Sequence, residues 1–222
     1  MGGNVRMWLF SAIMASCAII AFGNTAIASP RRYTYQVYDH QYGMIGTYSN
    51  IIRKIGNAMT IDTEAHIRVS LLGFTLYSQE VHRMERWVGN RIVYFHGVTT
   101  ESDKPVEVDG QAKGDHFIIV SPNGNVTAPG TIRPANPWSI SAAGGDMIFM
   151  PDTGIITKAH TDKGEETSLM VDGALRQVRQ YHINAGDEQY NVWLDDNGTP
   201  VKFTMQDKDS DVTFTLASSP QG

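Results

Sequence analysis

Glu64, His66, Glu80 and His82 are the residues of this chain whose types and spacing come nearest to chemistry. Within each pair one residue intervenes, so on an extended chain both members point to one side. If the Leu71 to Gly73 turn folds the two segments together, all four side chains share a face. Two imidazoles and two carboxylates at cross-strand distance are a donor set for zinc or another divalent ion, which would make the protein a metal-assisted enzyme. The commoner content of such a face is a ladder of solvated charge pairs, and no His-x-His spacing lifts the set above it. No metal site is therefore expected. His40, His96, His116, His160 and His182 stand singly. Ser121-Pro122-Asn123-Gly124 reads as a turn, and no Gly-x-Ser-x-Gly supplies a strained nucleophile. Asp195-Asp196-Asn197-Gly198 opens like a calcium loop but lacks the later ligands and the closing Glu. Asn125-Val126-Thr127 and Asn197-Gly198-Thr199 fit the glycosylation sequon, a pattern too common to carry weight. The expectation is a protein with no catalytic residue and no cofactor.

A second kind of chemistry is apolar binding. Trp87, Phe95, Trp138, Met147, Phe149, Tyr181 and Trp193 are large enough to line a cavity for a lipid or another apolar molecule. The same residues, with Tyr94 and Met150, serve equally as core, where aromatics bury area and Met fills gaps. Which role they take depends on the elements that position them.

Those elements are strands. Phe74 to Val88 and Arg91 to Thr100 are rich in β-branched and aromatic residues and are joined by Gly89-Asn90, which suits a two-residue hairpin loop. Counting outward pairs Trp87 with Ile92, Glu85 with Tyr94, Met84 with Phe95 and Arg83 with His96. That register puts apolar side chains on both faces, as in a hairpin covered on both sides. Tyr33 to Tyr38, Met44 to Ile55 and Ala58 to Leu71 precede it as strands. Downstream, turn dipeptides recur at Asp109-Gly110, Asn123-Gly124, Lys163-Gly164 and Asp172-Gly173, and later at Ala185-Gly186-Asp187 and Asn197-Gly198. Short strands between regular turns predict an all-β fold, a strongly curved antiparallel sheet with meander connections that forms a half-barrel or open barrel.

Pro122, Pro129, Pro134, Pro137 and Pro151 interrupt this rhythm. Proline donates nothing to a ladder, so Ala128 to Pro137 reads as a loop and 138–148 as at most one short helix. Trp138, Ile140, Met147, Ile148, Phe149 and Met150 are too apolar for water, and the segment from Trp138 to Met150 is expected to cover the concave face as a movable flap.

The N-terminus carries an address. Met1 to Arg6, the apolar run Met7 to Phe22 and the small residues Ala26 and Ala28 read as a secretory signal peptide over 1–28, cleaved after Ala28. A membrane anchor is disfavoured because the apolar run is short for a bilayer and a cleavage signal follows it. A lipidated Cys17 is disfavoured because the residues after it stay apolar. Cys17 is the chain's single cysteine and leaves with the leader, so the mature protein holds no disulfide. Residues 29–222 then form a single all-β domain, exported and periplasmic, with no integral span. Of the charges that set the net value of −5, the leader removes only Arg6. Mild acidity with interspersed signs argues against a nucleic-acid partner.

Ile45-Gly46, Glu85-Arg86-Trp87, Pro137-Trp138, Asp152-Thr153-Gly154 and Trp193-Leu194-Asp195-Asp196-Asn197-Gly198 together resemble a group of exported bacterial envelope proteins of unknown function. That resemblance runs over nearly all of the mature chain. It implies a curved sheet similar to the half-barrels of periplasmic lipoprotein carriers, an apolar cavity, and no catalytic residues. The expected function is a non-catalytic envelope protein that binds a lipid, another apolar ligand or an envelope partner protein in its concavity. The alternatives are the metal-assisted enzyme and a purely structural envelope factor.

Overall fold

Alternation of buried and exposed side chains builds the sheet. Tyr33, Tyr35 and Val37 are buried while their neighbours face out, and Val212, Phe214 and Leu216 repeat the pattern near the C-terminus. A period of two on a pleated strand puts such residues on one face, whose burial drives the sheet to curl around them. The computed structural model describes residues 29–139, 146–171, 173–206 and 211–219.

A first meander runs through β1 (Arg31–Asp39), β2 (Gly43–Ile55), β3 (Ala58–Leu71), β4 (Phe74–Val88), β5 (Arg91–Glu101), β6 (Lys104–Lys113), β7 (His116–Ser121) and β8 (Gly124–Pro129). Short strands follow: β9 (Arg133–Pro134), β10 (Met147–Phe149), β11 (Ile156–Thr161) and β12 (Glu165–Val171). The second meander is β13 (Ala174–Ala185), β14 (Glu188–Leu194), β15 (Pro200–Gln206) and β16 (Asp211–Ser218). β16 pairs with β1 and fuses the two into one 16-stranded sheet, in the order β8-β7-β6-β5-β4-β3-β2-β1-β16-β15-β14-β13-β11-β10-β9, with β12 hung on β13. Every ladder is antiparallel except β9 with β10. Register shifts between Val37 and Tyr38, Val69 and Ser70, Arg86 and Trp87, and Trp193 and Leu194 mark bulges, which increase twist and bend the strands.

The sheet curls, and among the described residues no ladder joins its ends. Phe149 of β10 stands 5.0 Å from the ring of Phe95 on β5, edge to face, and 6.0 Å from the ring of Phe117 on β7, stacked. The last strands of the order are thus tucked against the inner face of the first meander, and the architecture is the open, strongly curved antiparallel barrel that the turn pattern predicts. Among the described residues no helix is long and apolar enough to cross a membrane.

Four expectations change. The β4–β5 register agrees at Trp87–Ile92 and then slips, pairing Arg86 with Tyr94, Glu85 with Phe95 and Met84 with His96, because the bulge leaves Val93 without a partner. The hairpin is covered on one side only: Val81, Glu85 and Trp87 are buried, and His82 and Arg86 are exposed. Asp109-Gly110 is no turn but the middle of β6. A Cβ on Gly110 would lie 2.4 Å from the Phe117 ring, so glycine there lets that ring lie flat across the strand. Lastly, Trp138 and Ser139 lie in a turn and Met147–Phe149 is a strand rather than helix, while 140–145 fall outside the described residues.

The β3–β4 hairpin outruns its neighbours. β2 pairs with β3 no further than Ile67 and β5 with β4 no further than Gln79, so the tip is a two-stranded ribbon carrying exposed Leu71, Leu72, Phe74 and Leu76.

Candidate ligand cavity

The segment 132–139 crosses the concave face as a strap. Prolines at 134 and 137 stiffen it, and polar side chains fasten it at both ends. Asn136 Nδ2 donates to Glu85 Oε1 on β4 at 2.6 Å, and Trp138 Nε1 donates to Asn50 Oδ1 on β2 at 2.9 Å. Asn50 is wholly buried, and its amide donates to Thr63 Oγ1 at 2.7 Å. Arg133 donates to the carbonyls of Ser139 at 3.1 Å and Asn90 at 3.4 Å and lies over the Trp87 ring. Ser139 Oγ returns a bond to the Pro134 carbonyl at 2.7 Å. A buried polar group costs stability unless it is paired, so this network is a clamp with a defined geometry rather than a greasy contact.

The strap divides the concavity in two. The larger cavity, about 680 Å³, lies toward the β3–β4 turn, between Ile67, Val81 and Tyr48 of the first meander and Ile183, Val192 and Phe203 of the second. Ile148 and Met150 close it from the β10 side. The smaller, about 530 Å³, lies toward the β4–β5 turn and is lined by Tyr33, Ile61, Trp87 and Trp138.

Charges sit in the larger cavity where a simple core has none. Arg83 reaches it from β4; its Nε is buried with no hydrogen-bond partner, and Nη2 approaches Thr99 Oγ1 at 3.5 Å. Burial lowers the Arg83 pKa from its ordinary value, while Tyr48, Asp152 and Glu85 act in the opposite sense. Asp152, in the turn after β10, also lines the cavity and carries a buried Oδ1 that no donor reaches among the described residues. Glu85 is 2% exposed, and burial pushes its carboxyl up to about 7 against the lowering pull of Trp87, Asn136 and Arg83.

The seven residues expected to hold a ligand are dispersed. Tyr181 lines the larger cavity, and Trp87 and Trp138 line the smaller. Phe95 and Phe149 are fully buried against each other, and Met147 packs on the same cluster. Trp193 stands between buried Val192 and Leu194, so it points away from the concavity, under the Lys202 ammonium at 4.9 Å. Glu64, His66, Glu80 and His82 do share one face, the outer one. Glu64 pairs with His82 and His66 with Glu80, and the two imidazole rings are 6.3 Å apart. His66 Nδ1 is already in contact with Glu80 Oε2. Among the described residues the donors that converge within 4.8 Å are instead those of His96, Glu107 and Asp109, on β5 and β6.

Arg83, Glu85, Asn136 and Asp152 are site residues that no sequence motif marks. One signal was present: Arg83 and Glu85 fall between Val81 and Trp87 at a period of two, so charges occupy positions that alternation assigns to the inside.

No curated protein matches the chain. A solved structure of similar shape is the crystal structure of a β-barrel-like protein of the domain of unknown function DUF1849 from Brucella abortus. It shares 15% identity, aligns with a TM-score of 0.65, and the alignment covers 87% of this chain and 98% of that one. At that identity the likeness is one of fold. Residues 35–217 match the family model described as a domain of unknown function, DUF6134, and the protein therefore belongs to that family.

Proposed function

We propose that this is a non-catalytic, exported protein of the bacterial envelope that holds a lipid or another apolar molecule in the larger cavity of its concave face. The observation that carries the reading is the cavity of about 680 Å³ walled by Ile67, Val81, Ile183, Val192 and Phe203. Ligand pockets commonly measure about 300–1,000 Å³ and combine apolar walls with a few placed polar groups. A volume of that size suits a chain molecule, whereas a partner protein reaches it only by an inserted segment. The metal-assisted enzyme has less support, since Glu64, His66, Glu80 and His82 are on the outer face, away from both cavities. Export rests on the leader and on the small residues Ala26 and Ala28 before Ser29.

Mass spectrometry of an organic extract of the protein purified from its native compartment tests the ligand. Recovery of an apolar or amphiphilic molecule in stoichiometric amount is expected. Repeated recovery of none, with no uptake of an apolar dye, would end the reading. N-terminal sequencing of the same material is expected to begin at Ser29 in a periplasmic fraction, and a chain retained in the cytoplasm with an intact leader would refute export.

A further inference from the structure

A cavity that held only hydrocarbon would be walled by hydrocarbon. This one presents the Arg83 guanidinium, whose hydrogen bonding among the described residues is a single long contact from Nη2 to Thr99 Oγ1 at 3.5 Å. An unpaired donor on a buried cation is costly, and a cation in apolar surroundings attracts an anion more strongly than it does in water. Among the described residues that line the cavity, Arg83 is the guanidinium with Nη donors left to meet a ligand. Arg133, whose Nε is likewise buried without a partner, spends Nη1 and Nη2 on the carbonyls of Ser139 and Asn90, and Lys163 is exposed in the turn between β11 and β12. The apolar walls at Ile67 and Val81 lie on β3 and β4 beside Arg83, so a chain and a charged end fit the cavity together. We propose, on the footing that the larger cavity is the binding site, that its ligand is an amphiphile with one anionic group, carboxylate or phosphate. Its anion is received by Arg83, and its chain lies between Ile67, Val81, Ile183 and Phe203. Asp152, with Asp146 and Asp162, lines the same cavity and opposes the anion.

The test uses the purified full chain and three probes of equal chain length, palmitate, hexadecyl phosphate and hexadecanol, kept below their micellar concentrations. Each competes with the neutral fluorophore N-phenyl-1-naphthylamine. At least one anion should displace it at a concentration lower than hexadecanol by about tenfold or more, the scale of one charge-assisted hydrogen bond. Palmitate in the lead identifies a fatty-acid source, and hexadecyl phosphate in the lead a phosphate-headed lipid. Arg83→Met should bring anion and alcohol within about twofold of each other by removing that bond. Asp152→Asn, which keeps the side chain's shape and removes one of the opposing charges, should strengthen the anions several-fold and tests the idea even if Arg83→Met does not fold. Equal displacement by all three probes, a preference that survives Arg83→Met, or anion affinity unmoved by Asp152→Asn overturns the anionic ligand and leaves the apolar cavity standing. Absence of both fluorophore uptake and probe binding sinks the cavity reading itself, and the anionic ligand with it.

Discussion

Asn136 reaches from the strap to the buried carboxylate of Glu85, 51 residues earlier in the chain, and holds it at 2.6 Å. The second oxygen of that carboxylate accepts Trp87 Nε1 at 2.9 Å. One ionisable side chain therefore joins β4, the strap and the aromatic floor of the smaller cavity.

Stability should depend on pH through this group. Its carboxyl is raised from 4.5 to about 7, chiefly by burial, so the folded state holds a proton that the unfolded state releases. The stabilisation is fully present below about 4.5 and is lost as pH rises through about 7, with an amplitude on the order of 3 kcal/mol. Urea unfolding between pH 5 and 8 should show stability falling across that window. Glu85→Gln should flatten the slope, at a roughly constant cost because its amide meets Asn136 or Trp87 donor to donor. A mutant slope as steep as that of the wild type would refute the assignment.

Trp138→Ala distinguishes a clamp from a flap. Trp138 donates to Asn50 and packs 4.8 Å from the Tyr33 ring, so its loss opens a void and strands a buried amide oxygen. We expect a loss of about 3 to 5 kcal/mol in urea unfolding. A loss below about 1 kcal/mol accompanied by greater dye uptake would show that the strap opens freely, as the flap expectation holds.

How far the fold could be read from the chain is clear at particular residues. Tyr33, Tyr35 and Val37 announce an inward face, and Gly89-Asn90 announces its hairpin, because both signals are local. Val93 hides its bulge, since nothing in Arg91 to Phe95 distinguishes a paired residue from an extra one. Gly110 imitates a turn because its reason, the ring of Phe117, lies on the next strand. The pairing of Ile148 with Arg133 and the bond from Asn136 to Glu85 depend on tertiary placement that no periodicity encodes. Arg83 was legible only to a reader who trusted alternation over the rule that charges face water.

On the outer face the prediction is silence. His66 and Glu80 are exposed and already paired, so His66→Ala combined with His82→Ala should change stability by no more than about 1 kcal/mol, and EDTA should leave the melting temperature unchanged. A drop of several degrees on chelation, restored by zinc, would revive a metal at this face.

Gly110→Ala tests how tightly the interior is filled. The added methyl would meet Phe117 ring atoms at 2.4 and 2.6 Å and Phe95 Cβ at 3.2 Å. Both phenylalanines are fully buried, and Phe149 stacks on one and abuts the other, so neither ring has open space to move into. Overpacking of this kind costs about 1 to 3 kcal/mol, and the ring that shifts should press on β10 and through it on the strap. Pairing the change with Phe117→Leu removes the ring atoms that clash and should recover part of the loss, a coupling visible in a double-mutant cycle. Additive losses would show that the methyl is accommodated by backbone movement in β6, and the ring of Phe117 would then not be the reason for glycine at position 110.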